Sequence, residues 1–150
     1  MPTHRILFIH AVVLLIVLSF SSVAAWAERD DGEKIVVHLS QFGNDLHAVS
    51  MALKLGTAMQ EAGSYVTLFV DLEGVRVADS RQPQNLRWGD GAPIEELYNG
   101  FVESGGKILV CPHCAAAAGL EKASLRKGAT IGTVECITET LKAATKILDY

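Results

Sequence analysis

The chain has 150 residues, with 13 Lys and Arg against 17 Asp and Glu and a formal net charge of −4 at pH 7. Its basic residues are scattered and gather only at Lys122, Arg126 and Lys127. This excludes the basic stripe of a nucleic-acid-binding protein, and the small cluster is expected to be a solvated helix end. Three cysteines are too few for a scaffold held by bridges, and in an exported protein their odd number leaves at least one free thiol or an intermolecular bond.

Residues 1–27 are expected to be a secretory signal. Arg5 supplies a short positive region, Ile6 to Phe20 is apolar apart from His10 and Ser19, and Ala25-Trp26-Ala27 offers small residues where a signal peptidase reads. Cleavage after Ala27 would place the protein in the periplasm or outside the cell. The alternative is an uncleaved N-terminal membrane anchor, but the run is shorter than the ~20 apolar residues of a spanning helix. No cysteine stands at the cleavage site, which argues against a lipoprotein. The remaining chain, roughly 120 residues, suits one domain with its own core. It contains no second apolar run long enough to span a membrane, so no membrane contact is expected after cleavage.

Residues 28–33 are charged and are expected to form a disordered lead-in to a domain over 34–150. Lys34 to Leu39 is β-branched and predicts a strand buried on both faces. Asn44 is the expected N-cap of a helix carrying Leu46, Val49, Leu53 and Met59 on one face and stopping at Gly63. Tyr65 to Val70 predicts the second strand. Leu72 to Gly91 is irregular, with Val75 and Val77 as the hydrophobic members of a short element, and Asp79 to Gly91 is a long polar loop of the kind that often forms a lid or contact surface. Pro93 opens a helix with Ile94, Leu97, Phe101 and Val102 on one face, closed by Gly105-Gly106. Lys107 to Val110 predicts a third strand running into Cys111. A helix is expected from Cys114 to Leu120, then a short piece ending at Leu125, and a weak strand from Ala129 to Val134. The spacing of Ile137, Leu141, Ala144 and Leu148 predicts a last helix. This alternation implies an α/β fold with a mostly parallel sheet of about five strands and helices on both faces.

Sites in open parallel sheets form beyond the carboxyl ends of the strands. Cys111 follows a strand directly, and Pro112 suits the first helical position, so Cys111 is expected at the helix N-cap, where free amides favour a thiolate. Cys114 is either its disulfide partner or a packing residue of the first turn. Cys136 lacks such a setting and is expected in the core. His38 ends the first strand, His47 lies in the following helix, and Asp71 and Glu73 follow the second strand. All are candidates for the same edge, with a histidine as proton donor or thiolate stabiliser. His113 is exposed by position and is a candidate to tune Cys111.

These residues together resemble the DsrE/DsrF family, including the TusD-type sulfur relay proteins. The resemblance rests on the opening strand with the Asn44-Asp45 turn and long helix, on Phe69-Val70-Asp71 followed by Gly74-Val75, and on Ser104 to Cys111 followed by an alanine-rich helix. It implies a three-layer α/β/α sandwich and maps the family's persulfide cysteine onto Cys111, with Cys114, His113, His38, Asn44 and Asp45 around it. It also implies a homo-oligomer, often a trimer or hexamer, whose partners are a sulfur donor or acceptor protein or a small thiol. The chain departs from cytoplasmic relay proteins in its export signal and its second cysteine.

Three functions follow as expectations. The first is a sulfur carrier acting through a Cys111 persulfide. The second is a dithiol–disulfide redox protein, since Cys-Pro-His-Cys also occurs in DsbA-like proteins. The absence of any proline after Pro112 argues against a thioredoxin fold, which places a cis-proline loop after this motif. The third is a non-enzymatic oligomeric or metal-binding module. No cofactor and no resident metal are expected: two cysteines and a histidine are too few for a closed zinc site, and Ala115 after Cys114 excludes a haem-attachment motif.

Overall fold

The computed structural model describes residues 32–83 and 85–150, so the expected signal, Gln84 and residues 28–31 of the lead-in lie outside the described residues. Glu33, at the end of the lead-in, is tied to the sheet. Its carbonyl accepts from Tyr65 N–H at 2.9 Å, and its carboxylate meets Lys146 Nζ at 2.8 Å.

Five strands form one sheet: β1 (Lys34–Leu39), β2 (Tyr65–Val70), β3 (Lys107–Val110), β4 (Ala129–Ile131) and β5 (Lys146–Asp149). Their order is β4-β3-β2-β1-β5, and every neighbouring pair is parallel. The helices are α1 (Leu46–Glu61), α2 (Ile94–Glu103), α3 (Pro112–Ala117) and α4 (Val134–Ala143), with 3-10 turns at Leu72–Ala78 and Lys122–Ser124. The chain steps from β1 to β4 in one direction, so right-handed crossovers place α1, α2 and α3 on one face. The return from β4 to β5 crosses the whole sheet the other way and places α4 on the opposite face. This is the three-layer α/β/α arrangement, with a sheet that is wholly parallel.

The main core lies on the α1–α2 face. Ile35, Val37 and Leu39 alternate inward from β1 and meet Val49 and Leu53 of α1, Tyr98 and Phe101 of α2 and Ala115 of α3. Phe101 is fully buried, and two glycines give it room. A Cβ at Gly106 would stand 2.4 Å from its ring, and one at Gly56 would stand 2.9 Å away. On the other face Val36 and Leu109 are buried outside that cluster, and Leu109 lies beneath the start of α4 near Gly132 and Ile137.

Several expectations are corrected. The N-cap of α1 is Asp45, whose carboxylate accepts from Ala48 N–H at 2.9 Å. Asn44 instead shapes the preceding turn, accepting from Phe42 N–H at 3.1 Å. The cap falls on Asp45 because its carbonyl accepts the first helical bond, from Val49 N–H. The last helix ends at Ala143, and the chain then enters β5. The β1 edge needs backbone partners there, and Ile35, Val36, Val37 and His38 pair with Lys146 to Asp149. Cys136 is exposed in the first turn of α4, because α4 buries none of its residues fully. The Lys122–Lys127 cluster is not wholly solvated either. Arg126 lies half-buried with its guanidinium 5.2 Å above the Tyr98 ring, and burial pushes the Tyr98 phenol up to about 12.

The polar loop has a buried anchor. Asp79 is almost wholly enclosed, and Arg81 holds both its carboxylate oxygens, at 2.8 and 3.0 Å. Burial pushes the Asp79 carboxyl up, but hydrogen bonds from Arg81 and Gln82 outweigh it and hold the group below the usual range.

Phe101→Ala is expected to lower stability by about 3–5 kcal/mol, because the cavity between Gly56 and Gly106 cannot collapse onto residues without side chains. Urea unfolding checks this, as a lower midpoint at unchanged slope.

Candidate functional site

Cys111 leaves β3 with its N–H donating to Val70 O at 2.9 Å, which extends the β3–β2 ladder by one residue. Its extended backbone then makes it the N-cap of α3, with Pro112 at the first helical position. The position matches the sequence expectation, but α3 has only six residues, so its dipole lends the sulfur little. The connection leaving β3 turns to the α1–α2 face, whereas the one leaving β4 turns to the α4 face. Cys111 therefore stands where the connections diverge, the position at which parallel sheets open a crevice.

Cys114 lies one turn along α3 from Cys111. Both are partly exposed. Burial pushes the Cys114 thiol above its ordinary value, and the neighbouring Cys111 and Asp71 add to the rise while the Leu72 backbone offsets part of it. The Leu72 backbone is left-handed, with φ 42°, while its side chain is 66% exposed. That conformation costs a non-glycine residue about 1–2 kcal/mol. Behind it, Gly74 donates to Ser40 O at 3.1 Å, and a Cβ there would stand 2.0 Å from Leu39 O. Only glycine allows the 72–78 turn to lie this close to the exit of β1. A cavity of about 250 Å³ opens beside Cys114, lined by Leu72, Glu73, Arg76, Ala117 and Ala118.

His38 is at the same edge but does not face the sulfurs. Its Nε2 meets Asp71 Oδ1 at 2.9 Å and its Nδ1 meets Asp149 Oδ1 at 2.5 Å, while its ring stacks on Phe69 at 5.4 Å. It reaches the cysteines only through Asp71, whose charge acts on Cys114. Burial pulls the His38 imidazole down, but the two carboxylates outweigh this and raise it above its ordinary value.

The other candidates separate. His47 stacks on Trp88 at 3.9 Å, Glu73 pairs with Arg76 at 2.7 Å, and His113 is exposed on α3. Asn44 and Asp45 shape the loop and helix start after β1, accepting from Phe42 N–H and Ala48 N–H. Two contributors escaped sequence reasoning. Asp149 was hidden because helical spacing masked β5, although Lys146-Ile147-Leu148-Asp149 after Thr145 is a short strand-like run. Leu72 carries no sequence signal at all, since positive φ is ordinarily announced by glycine. Among the described residues, no group of three His, Cys, Asp or Glu gathers to hold a metal, and no helix is long and apolar enough to cross a membrane.

Residues 34–150 match the DsrE/DsrF-like family. Among solved structures, the fold resembles the ychN protein from E. coli, with 21% identity over 79% of this chain and 99% of that one and a TM-score of 0.64. It also resembles MTH1491, a protein of unknown function from Methanobacterium thermoautotrophicum, with 12% identity over 79% of this chain and 99% of that one and a TM-score of 0.55. These likenesses show the shared fold. No curated protein matches.

A raised His38 pKa stabilises the fold fully below the unfolded value of about 6.5, and this contribution fades as pH rises through the folded value. The difference in melting temperature between the native chain and His38→Gln should therefore shrink from about pH 5 to about pH 9. A gap that stays constant across that range would show that the ring is held uncharged.

Proposed function

The chain belongs to the DsrE/DsrF-like family, and from that premise we propose that it carries sulfur as a persulfide on Cys111. The Cys111 thiolate attacks the outer sulfur of a persulfide donor. A bond forms between Cys111 Sγ and that sulfur, the donor S–S bond breaks, and the donor leaves as a thiolate with the electron pair. A downstream thiol then takes the outer sulfur by the same exchange. Each loading delivers one sulfur, as befits a carrier.

The observation that carries this reading is the placement of Cys111. It ends β3 at the carboxyl edge of a wholly parallel sheet, where the connections diverge to opposite faces, and its backbone is fixed by the bond to Val70. The residue is partly exposed, so a donor thiol can approach it. Cys114, also partly exposed, stands one helical turn away.

The same proposal places the protein outside the cytoplasm, supported by Arg5, the apolar run to Phe20 and Ala25-Trp26-Ala27. It includes assembly as a homo-oligomer, supported by the thin cover on the α4 face, where Tyr65, Val134 and Ile147 are exposed. The donor and acceptor are a partner protein or a small thiol.

Incubation with a persulfide donor followed by intact-mass analysis under non-reducing conditions tests the assignment. With a second exit for the sulfur removed by Cys114→Ser, the chain should gain the mass of one sulfur atom. The double substitution Cys111→Ser, Cys114→Ser should gain none. An equal gain in the double variant would place the sulfur elsewhere and end the assignment to Cys111.

A further inference from the structure

We propose that Cys114 discharges the Cys111 persulfide as hydrosulfide, which makes the chain a persulfide reductase as well as a carrier; this rests on the Cys111 reading above. The Cys114 sulfur attacks the inner sulfur, Cys111 Sγ. The bond between Cys111 Sγ and the outer sulfur breaks, and a Cys111–Cys114 disulfide forms. The outer sulfur leaves as sulfide with the electron pair, and the Cys114 proton leaves with it. The outer sulfur is reduced, and the Cys114 sulfur is oxidised to the disulfide level. The step therefore needs no external oxidant. A dithiol reductant, either a small dithiol or a dithiol protein, returns both cysteines to thiols for the next round.

Three features of the site support this chemistry. Residues three apart at a helix start stand on one side with Cβ atoms about 5–6 Å apart, and a slight closure brings them to disulfide geometry. Both residues are partly exposed. A resolving group must gain negative charge only as it attacks, and burial pushes the Cys114 thiol above its ordinary value. Leu72, held at φ 42°, lines the cavity beside it.

The cavity supplies the exit. It opens at Cys114, and Ala117 and Ala118 leave its α3 wall without bulk. Arg76, paired with Glu73 at 2.7 Å, also lines it. A departing hydrosulfide thus has space beside Cys114. A pure relay carrier gains nothing from a second thiol one helical turn from the first, because that thiol competes with every acceptor for the persulfide.

The test uses the full chain, reduced, freed of reductant and then given glutathione persulfide. Released sulfide is read with a sulfide-selective electrode and the protein by intact mass. The native chain should release one sulfide per chain above the Cys111→Ser background and lose the mass of two hydrogens. Cys114→Ser should retain one added sulfur and release only background sulfide, and Cys114→Ala should behave alike where a hydroxyl disturbs the half-buried position. A native chain that keeps its added sulfur on Cys111 with no disulfide overturns the inference while leaving the carrier reading intact, and one that keeps it on Cys114 overturns both. If Cys114→Ser and Cys114→Ala both fold and neither gains sulfur, the carrier reading fails and this inference with it.

Discussion

All five strands run in the same direction, so every carboxyl end reaches one edge of the sheet. Backbone groups beyond each strand end still need partners, and neighbouring strands supply them. Cys111 N–H donates to Val70 O, Asp71 N–H to Leu39 O, Gly132 N–H to Val110 O and Tyr150 N–H to His38 O. Each bond carries the ladder one residue into the connection that follows. Residues that would otherwise belong to loops are thereby held by the sheet. Cys111 gains its fixed position from this, and α3 begins where that position allows it.

The two faces of the sheet are unequally supported. On the α1–α2 face the core is dense enough that glycines at 56 and 106 are needed to seat Phe101. On the α4 face neither α4 nor β5 buries any residue fully. β5 is held instead by polar bonds: its ladder with β1, Lys146 to Glu33, Asp149 to His38, and the return of Ser40 N–H to Tyr150 O. His38 joins the ends of β1, β2 and β5 because its two ring nitrogens reach carboxylates on both neighbours. His38 thus sits two strands from Cys111 and bonds to the Asp71 whose charge helps raise the Cys114 thiol.

Most of the fold could be read from the pattern of residues, because β-branched runs of four to six residues separated by amphipathic stretches leave little choice but parallel strands and crossover helices. Two boundaries misled for local reasons. Asn44 and Asp45 are both good caps, and only the first helical hydrogen bond distinguishes them. Ile137, Leu141, Ala144 and Leu148 keep helical spacing by coincidence, while no glycine or proline marks the end at Ala143. Residue type alone puts Cys136 in the core, but it is exposed because the helix carrying it covers the sheet only thinly.

By itself the sequence determined the α/β class, the three central strands and the place of Cys111 between a strand and a proline-started helix. These depend on local spacing and on the backbone limits of proline and glycine, which any reader of the chain can apply. Only the tertiary structure decided which groups surround the sulfurs. Strand order puts β5 beside β1 and so brings Asp149 to His38 across 111 residues of sequence. The close approach of Gly74 to Leu39 sets the turn that places Leu72 beside Cys114. Contacts between residues so distant in the chain leave no periodic trace, because they are fixed by how crossovers return to the sheet.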